Sequence, residues 1–396
     1  MQPTSSNLTL TRWANVSVII LFLVMLWLPM FDTIFHLDHS TLPRENRVLA
    51  QFPKLRPGLA GQKEFIAGLE ACFNDHFGWR NRLIHLHRRL QLGLFPETSG
   101  PSPRVIVGRN GWFFLNDGNA IKNYQGVLPF SPQDLLDWQA LLEQRRDWLA
   151  QLGIKYIFVV APDKQSVYSE QLPEWMKRVR PDTRLDQFFA HMRAHSTVEV
   201  LDLRPALRAA RTIAPTYYQT DLHWNYFGGY VACQEIVKNL SKQLPGLQPL
   251  PLASFKLENK PIVKGFLAEW ADADVNENCA VVLIPGPDLP RLEMSCKPIA
   301  YALTNVDFTK NPKAQGNVIV LGDSFKNALS PFLGYHFGRV NYYSRFPLSE
   351  KWIKQETPDI VISVMREQAF NECNPKGFDE QADFLMRHSL RSPPTK

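Results

Sequence analysis

Residues 318–329 read VIVLGDSFKNAL, an apolar run that ends at Gly322-Asp323-Ser324 and gives way to an amphipathic segment. Consecutive apolar residues from Val318 to Leu321 suit a strand buried on both faces, as in a helix-covered parallel sheet. In an open α/β sheet, ligands bind outside the carboxyl ends of the strands. A serine at that edge, opening the next helix, lies beside backbone N–H groups that can receive the negative oxygen of a tetrahedral intermediate. Gly322 permits the tight turn. Asp323 and Ser324 are also favoured helix caps, so G-D-S alone equally fits an ordinary helix start.

The surrounding chain repeats the strand–helix rhythm. Ser131-Pro132 offers an N-cap followed by proline at the first helical position, and helical apolar spacing continues to Gly153. Ile154–Val160 is a buried-strand candidate; Asp186–His195 reads as helix and Val198–Leu201 as a short strand. Tyr226–Leu244 reads as helix, and Asp359–Val364 as another strand. Alternation of this kind predicts an α/β fold with a parallel sheet flanked by helices. Asn110-Gly111 between two apolar runs predicts a tight hairpin. Residues 245–315, richer in proline, are expected to form a partly β insertion.

A second pattern supplies what a serine nucleophile requires. Residues 220–225 read TDLHWN. In an extended loop, residues two apart share a face, so Asp221 can hold one ring nitrogen of His223 while the other takes the proton of Ser324. Asn225 can cap the helix that follows. A D-x-H pair also serves as a plain structural hydrogen bond. Lys164 and Tyr168 follow the Ile154–Val160 strand, and Arg366 follows Asp359–Val364, at the same sheet edge as Ser324. Lys164 and Tyr168 are candidates for contact with sugar hydroxyls or carboxylates, or else an ordinary surface lysine and packed tyrosine. The Arg366 guanidinium can pair an oxyanion or a substrate carboxylate. A metallophosphoesterase would need an acid at position 326, which is Lys, and a later G-N-H, which is missing; neither a metal site nor a cofactor is expected.

Composition narrows the classes further. The chain has 396 residues, of which 45% are hydrophobic and 21% charged, the profile of a globular protein with a real core. Its net charge of +6 is scattered rather than gathered into a stripe, which argues against nucleic acid as a partner. Val16–Phe31 carries no charge and, with Trp13–Asn15, is just long enough to span a bilayer; only Arg12 is charged before it. No small-residue cleavage site follows, so an uncleaved signal anchor with a cytoplasmic N-terminus is expected, with a cleaved signal peptide and a buried core helix as the alternatives. The five cysteines include no C-x-x-C pair. Cys279 and Cys296 flank what reads as two strands and a turn, and they would close that hairpin as a disulfide or remain buried thiols.

The stretches ENRVLAQFPKL (45–55), FNDHFGWRNRLI (73–84), VGRNGWFFL (107–115), APDKQSVYSEQLP (161–173), DLHWN (221–225) and LGDSF (321–325) together resemble the alginate O-acetyltransferase family with an SGNH-hydrolase-like domain. The resemblance covers most of the chain from about residue 45. It implies a catalytic triad of Asp221, His223 and Ser324, in an order circularly permuted relative to the usual SGNH hydrolase. It implies residues 1–35 as cytoplasmic tail and transmembrane anchor, 36–60 as linker and 61–396 as the acetyltransferase domain, held at the inner membrane and facing the periplasm. The activity implied is transfer of an acetyl group, through an acyl-serine, to hydroxyls of an exported exopolysaccharide. The acetyl donor would be a partner of the membrane-bound O-acyltransferase class. An acetyl esterase of the same fold and a non-catalytic polysaccharide-binding scaffold are the rival readings.

Overall fold

The computed structural model describes residues 5–35, 50–80 with a few further positions up to 90, and 104–378 apart from short gaps at 263–264, within 272–276, at 299–303, and at 345 and 377. Two compact units result, one ending at Leu94 and the other beginning at Phe95.

The first unit contains the helices Ser5–Phe35 and Leu59–His76. Near the end of the long helix, buried Asp32 accepts a hydrogen bond from the Trp79 N–H at 2.9 Å. Counted over the described residues, no helix is long and apolar enough to cross a membrane, so the structure gives the expected anchor no support.

The second unit opens with the hairpin announced by Asn110-Gly111. Strands β1 (Val105–Val107) and β2 (Phe113–Leu115) pair antiparallel. Asn110 and Gly111 take positive φ, 53° and 74°, within the connection Gly108–Trp112.

A seven-stranded sheet follows, built from β3 (Lys155–Ala161), β4 (Val200–Asp202), β7 (Glu293–Pro298), β8 (Thr304–Lys310), β9 (Asn317–Gly322), β10 (Arg339–Tyr343) and β11 (Ile360–Arg366). The order is β4-β3-β11-β9-β10-β8-β7, parallel from β4 to β10 and antiparallel at β8 and β7. Central β3, β9 and β11 are buried along nearly their whole length, which explains their unbroken apolar runs. The helix Pro132–Gln151 starts as its sequence predicts, with a Ser131–Asp134 capping box. It packs Trp138, which is fully buried, against Phe158, Phe188, Phe370 and Phe378.

Residues 245–315 are more integrated than an insertion. Strands β5 (Phe255–Ile262) and β6 (Glu277–Pro285) form a separate antiparallel pair, while β7 and β8 extend the main sheet. This also corrects the expected Cys279–Cys296 hairpin. Cys279 stands in β6, which pairs with β5, and Cys296 in β7, which pairs with β8. The side chains of both cysteines lie outside the described residues.

Candidate active site

Ser324 follows β9 at the carboxyl edge of the sheet, flanked by the ends of β10 and β11. It is exposed, while His223 and Asp221 are buried. His223 Nε2 stands 2.6 Å from Ser324 Oγ, and His223 Nδ1 stands 2.6 Å from Asp221 Oδ1. With Nδ1–H donating to the carboxylate, Nε2 is left to accept from the serine hydroxyl.

The loop around His223 is held from several sides. Asp221 Oδ1 also accepts the His223 N–H at 2.9 Å, and Oδ2 accepts the Phe266 N–H at 2.9 Å. Burial pushes the Asp221 carboxyl upward, but the His223 charge and these hydrogen bonds outweigh it and bring the pKa down to about 2. Asp221 is therefore ionised whenever His223 has to become charged. Trp224 packs its indole edge-on against Phe325 and donates Nε1–H to the Phe325 carbonyl at 2.9 Å, which ties the histidine loop to the serine turn. Asn225 caps the next helix, Tyr226–Ser241, by accepting the Gly228 N–H at 2.9 Å.

Asp323 organises the serine turn. Its Oδ1 accepts the Phe325 N–H at 3.0 Å, and its Oδ2 accepts the Arg366 N–H at 2.8 Å, joining the ends of β9 and β11. The Lys326 N–H goes to the Asp323 carbonyl at 3.2 Å, and the Asn327 N–H to the Ser324 carbonyl at 3.1 Å. The N–H groups of Phe325, Lys326 and Asn327 are thus engaged within the turn.

The other predicted residues divide. Arg366 sits half-buried at the sheet edge, with Nη2 donating to Gln368 Oε1 at 2.7 Å. Lys164 and Tyr168 turn inward, which corrects their expected contact with sugar. Lys164 is only 2% exposed, and its ammonium donates to the carbonyls of Phe113 at 2.6 Å and Gln219 at 3.0 Å. Tyr168 is buried between Trp112 and Tyr217, and its hydroxyl oxygen accepts the Thr216 N–H at 2.8 Å. Sequence reasoning missed Phe266, whose backbone reaches Asp221, and Glu277, whose carboxylate holds Gln219 and Thr220. Both lie in the proline-rich segment, where periodicity is weakest. Among the described residues no cluster of three or more His, Cys, Asp or Glu side chains is placed to hold a metal ion.

Known proteins resemble part of this chain. Residues 105–285 match the family described as SGNH hydrolase-like domain, acetyltransferase AlgX, a span that includes Asp221 and His223 and ends before Ser324. The chain is 26% identical over 222 residues to the "Probable alginate O-acetylase AlgJ" of Pseudomonas syringae, covering 55% of this chain and 53% of that protein. The protein of the same description from Pseudomonas putida is 29% identical over 141 residues, covering 36% of this chain and 35% of its own length. The chain thus spans between a third and about half of the curated relatives it matches. The solved O-acetyltransferase domain of Pseudomonas putida AlgJ superposes with a TM-score of 0.46 at 22% identity, covering 72% of this chain and 99% of that one; at that score the assignment rests on the sequence matches instead. Over residues 105–285 the chain is thus similar to the family described as SGNH hydrolase-like domain, acetyltransferase AlgX.

Proposed function

We propose that this protein is a serine-dependent O-acetyltransferase acting on hydroxyls of an exported polysaccharide. The observation that carries the reading is the unbroken chain Asp221–His223–Ser324, with 2.6 Å at each link and only the serine exposed. Ser324 Oγ attacks the carbonyl carbon of an acetyl donor while His223 Nε2 takes its proton. The imidazolium then returns that proton to the leaving group, and acetyl-serine remains. A sugar hydroxyl next gives its proton to His223, attacks the acetyl carbon and carries the acetyl away, and Ser324 recovers its hydrogen. Asp221 stays ionised throughout and stabilises the imidazolium twice.

Arg366, at the same sheet edge as Ser324, is proposed to pair a carboxylate of the acceptor. The order Asp221, His223, Ser324 supports a circularly permuted arrangement of the SGNH motifs. Membrane attachment is proposed on the sequence: Val16–Phe31 is uncharged, and the site would then work on the periplasmic side of the inner membrane. Acetyl groups would reach it from a partner of the membrane-bound O-acyltransferase class.

The test is turnover of a chromogenic acetyl ester by the full chain, with and without oligosaccharide acceptors, beside Ser324→Ala. Turnover that disappears in the variant, with acetylated sugar among the products, is the expected result. Ser324-dependent release to water alone would make the protein an esterase. Activity that survives in Ser324→Ala would overturn the serine mechanism.

A further inference from the structure

The loop that carries Asp221 and His223 is clamped by two buried, oppositely charged side chains from outside it. Glu277, 1% exposed, accepts the Gln219 N–H at 2.7 Å through Oε1, and the Thr220 N–H at 3.0 Å and Thr220 hydroxyl at 2.9 Å through Oε2. Thr220 Oγ1 in turn accepts the Gly265 N–H at 3.1 Å, and the Thr220 carbonyl accepts from Leu267 and Ala268 at 3.0 and 3.1 Å. These bonds fix the turn whose Phe266 N–H reaches Asp221. From the other side Lys164 donates to the Gln219 carbonyl, which also accepts the Phe113 N–H at 3.0 Å.

Such an arrangement exceeds what holding a loop requires. Glu277 places a second buried anion beside the loop that carries Asp221. Lys164, donating to the Gln219 carbonyl, brings a buried cation to the same loop. We propose that Lys164 and Glu277 are positioning residues that act through Asp221, fixing both the place and the basicity of His223. The inference rests on His223 being the general base. Burial lowers the Lys164 ammonium to about 7, with Glu277 and Asp221 drawing it upward, so it is charged below that pH. His223 itself meets Asp221 and Ser324, its carbonyl accepts the Tyr218 N–H at 3.2 Å, and Asp323 and Arg366 join at the serine turn. None of these changes in the variants below.

The experiment is the pH dependence of kcat/KM for a chromogenic acetyl ester, measured on the full chain, on Glu277→Gln, on Lys164→Gln and on the double variant. Ser324→Ala serves as the blank. Glutamine at 164 removes the charge and keeps an N–H donor on a shorter side chain. Glu277→Gln takes an anion from the imidazolium's surroundings, so its acid limb is expected to move to lower pH. Lys164→Gln takes away a cation, so its limb is expected to move to higher pH. The double variant is expected to return close to the unmodified protein. Lowered rates with unmoved limbs, or limbs that move the same way, would overturn the inference. So would loss of fold in both single variants, because the pair would then be scaffold and nothing more. If the unmodified protein shows no Ser324-dependent turnover, the functional reading fails separately. NMR titration of the His223 ring then reads the same opposed shifts directly.

Discussion

Gly229 lies so close to Ala328 that a Cβ at position 229 would stand 2.2 Å from the Ala328 carbonyl oxygen. The two residues belong to the first turns of the helices Tyr226–Ser241 and Lys326–Leu333. His223 comes just before the first helix and Ser324 just before the second. The contact therefore sets the distance between base and nucleophile through backbone alone. Gly229→Ala must push the two helices apart. It is expected to cost about 1–3 kcal/mol in thermal or denaturant unfolding, the ordinary scale of overpacking. Activity should fall further than stability, by roughly a hundredfold, because small misplacements of reacting groups are expensive. Substrate binding should change little. Activity that tracks the folded fraction alone would show that the contact does not position the site.

Asp221 offers a test on the acid side. Its folded pKa of about 2 lies below the ordinary 3.8, so the folded state holds fewer protons than the unfolded one between these values. The stability it contributes is fully present above 3.8 and is lost as pH falls toward about 2. Asp221→Asn is expected to lose that pH dependence in acid unfolding. It should also lose turnover by roughly four orders of magnitude, the scale seen when an amide forces the wrong histidine tautomer. A variant with near-normal turnover would remove Asp221 from the mechanism.

Much of this site was legible in the sequence because its parts are local. A strand running into G-D-S, and D-x-H just before an Asn-capped helix, are short patterns whose geometry follows from backbone periodicity. The central strands were legible for the same reason: β3, β9 and β11 are buried on both faces and so read as apolar runs. What holds the site together was not legible. Glu277 and Phe266 reach the histidine loop across about fifty residues of sequence, from a region whose strands belong to two different sheets. Lys164 was misread because a lysine at a sheet edge is ordinarily solvated, whereas here two carbonyls and the rings of Trp112 and Phe114 take it inside.

Arg366 can be tested apart from the chemistry. Its backbone N–H, which Asp323 holds, survives any side-chain change, so Arg366→Ala leaves the serine turn in place. The substitution removes a guanidinium at the active edge whose known partner is Gln368. If that guanidinium pairs an acceptor carboxylate, KM for an acidic oligosaccharide is expected to rise about tenfold or more, in the range of a charged hydrogen bond. Hydrolysis of a small neutral acetyl ester should stay nearly unchanged. Lys at 366 would restore only part of the binding, since an ammonium lacks the planar fork of donors. Equal losses on both substrates would place Arg366 in the support of the serine turn instead.

Asp163 and Glu367 form a buried acidic pair one strand away from the serine. The Asp163 N–H donates to Glu367 Oε2 at 2.9 Å, and the Ser166 hydroxyl to Oε1 at 3.0 Å. Burial and the neighbouring Glu367 charge raise Asp163 to about 8, and burial raises Glu367 as well. For Asp163 the folded state binds a proton that the unfolded state gives up near 3.8. Its contribution is therefore fully present below 3.8 and is lost as pH rises toward about 8. Asp163→Asn, which is neutral at every pH and of the same shape, is expected to flatten the decline in melting temperature between pH 4 and pH 8. The gain should be greatest at the alkaline end of that window. Melting curves whose pH dependence is the same in Asp163→Asn and the unmodified protein would mean that Asp163 is ionised in the fold, with its charge met by Arg204 and Arg366 rather than by a retained proton.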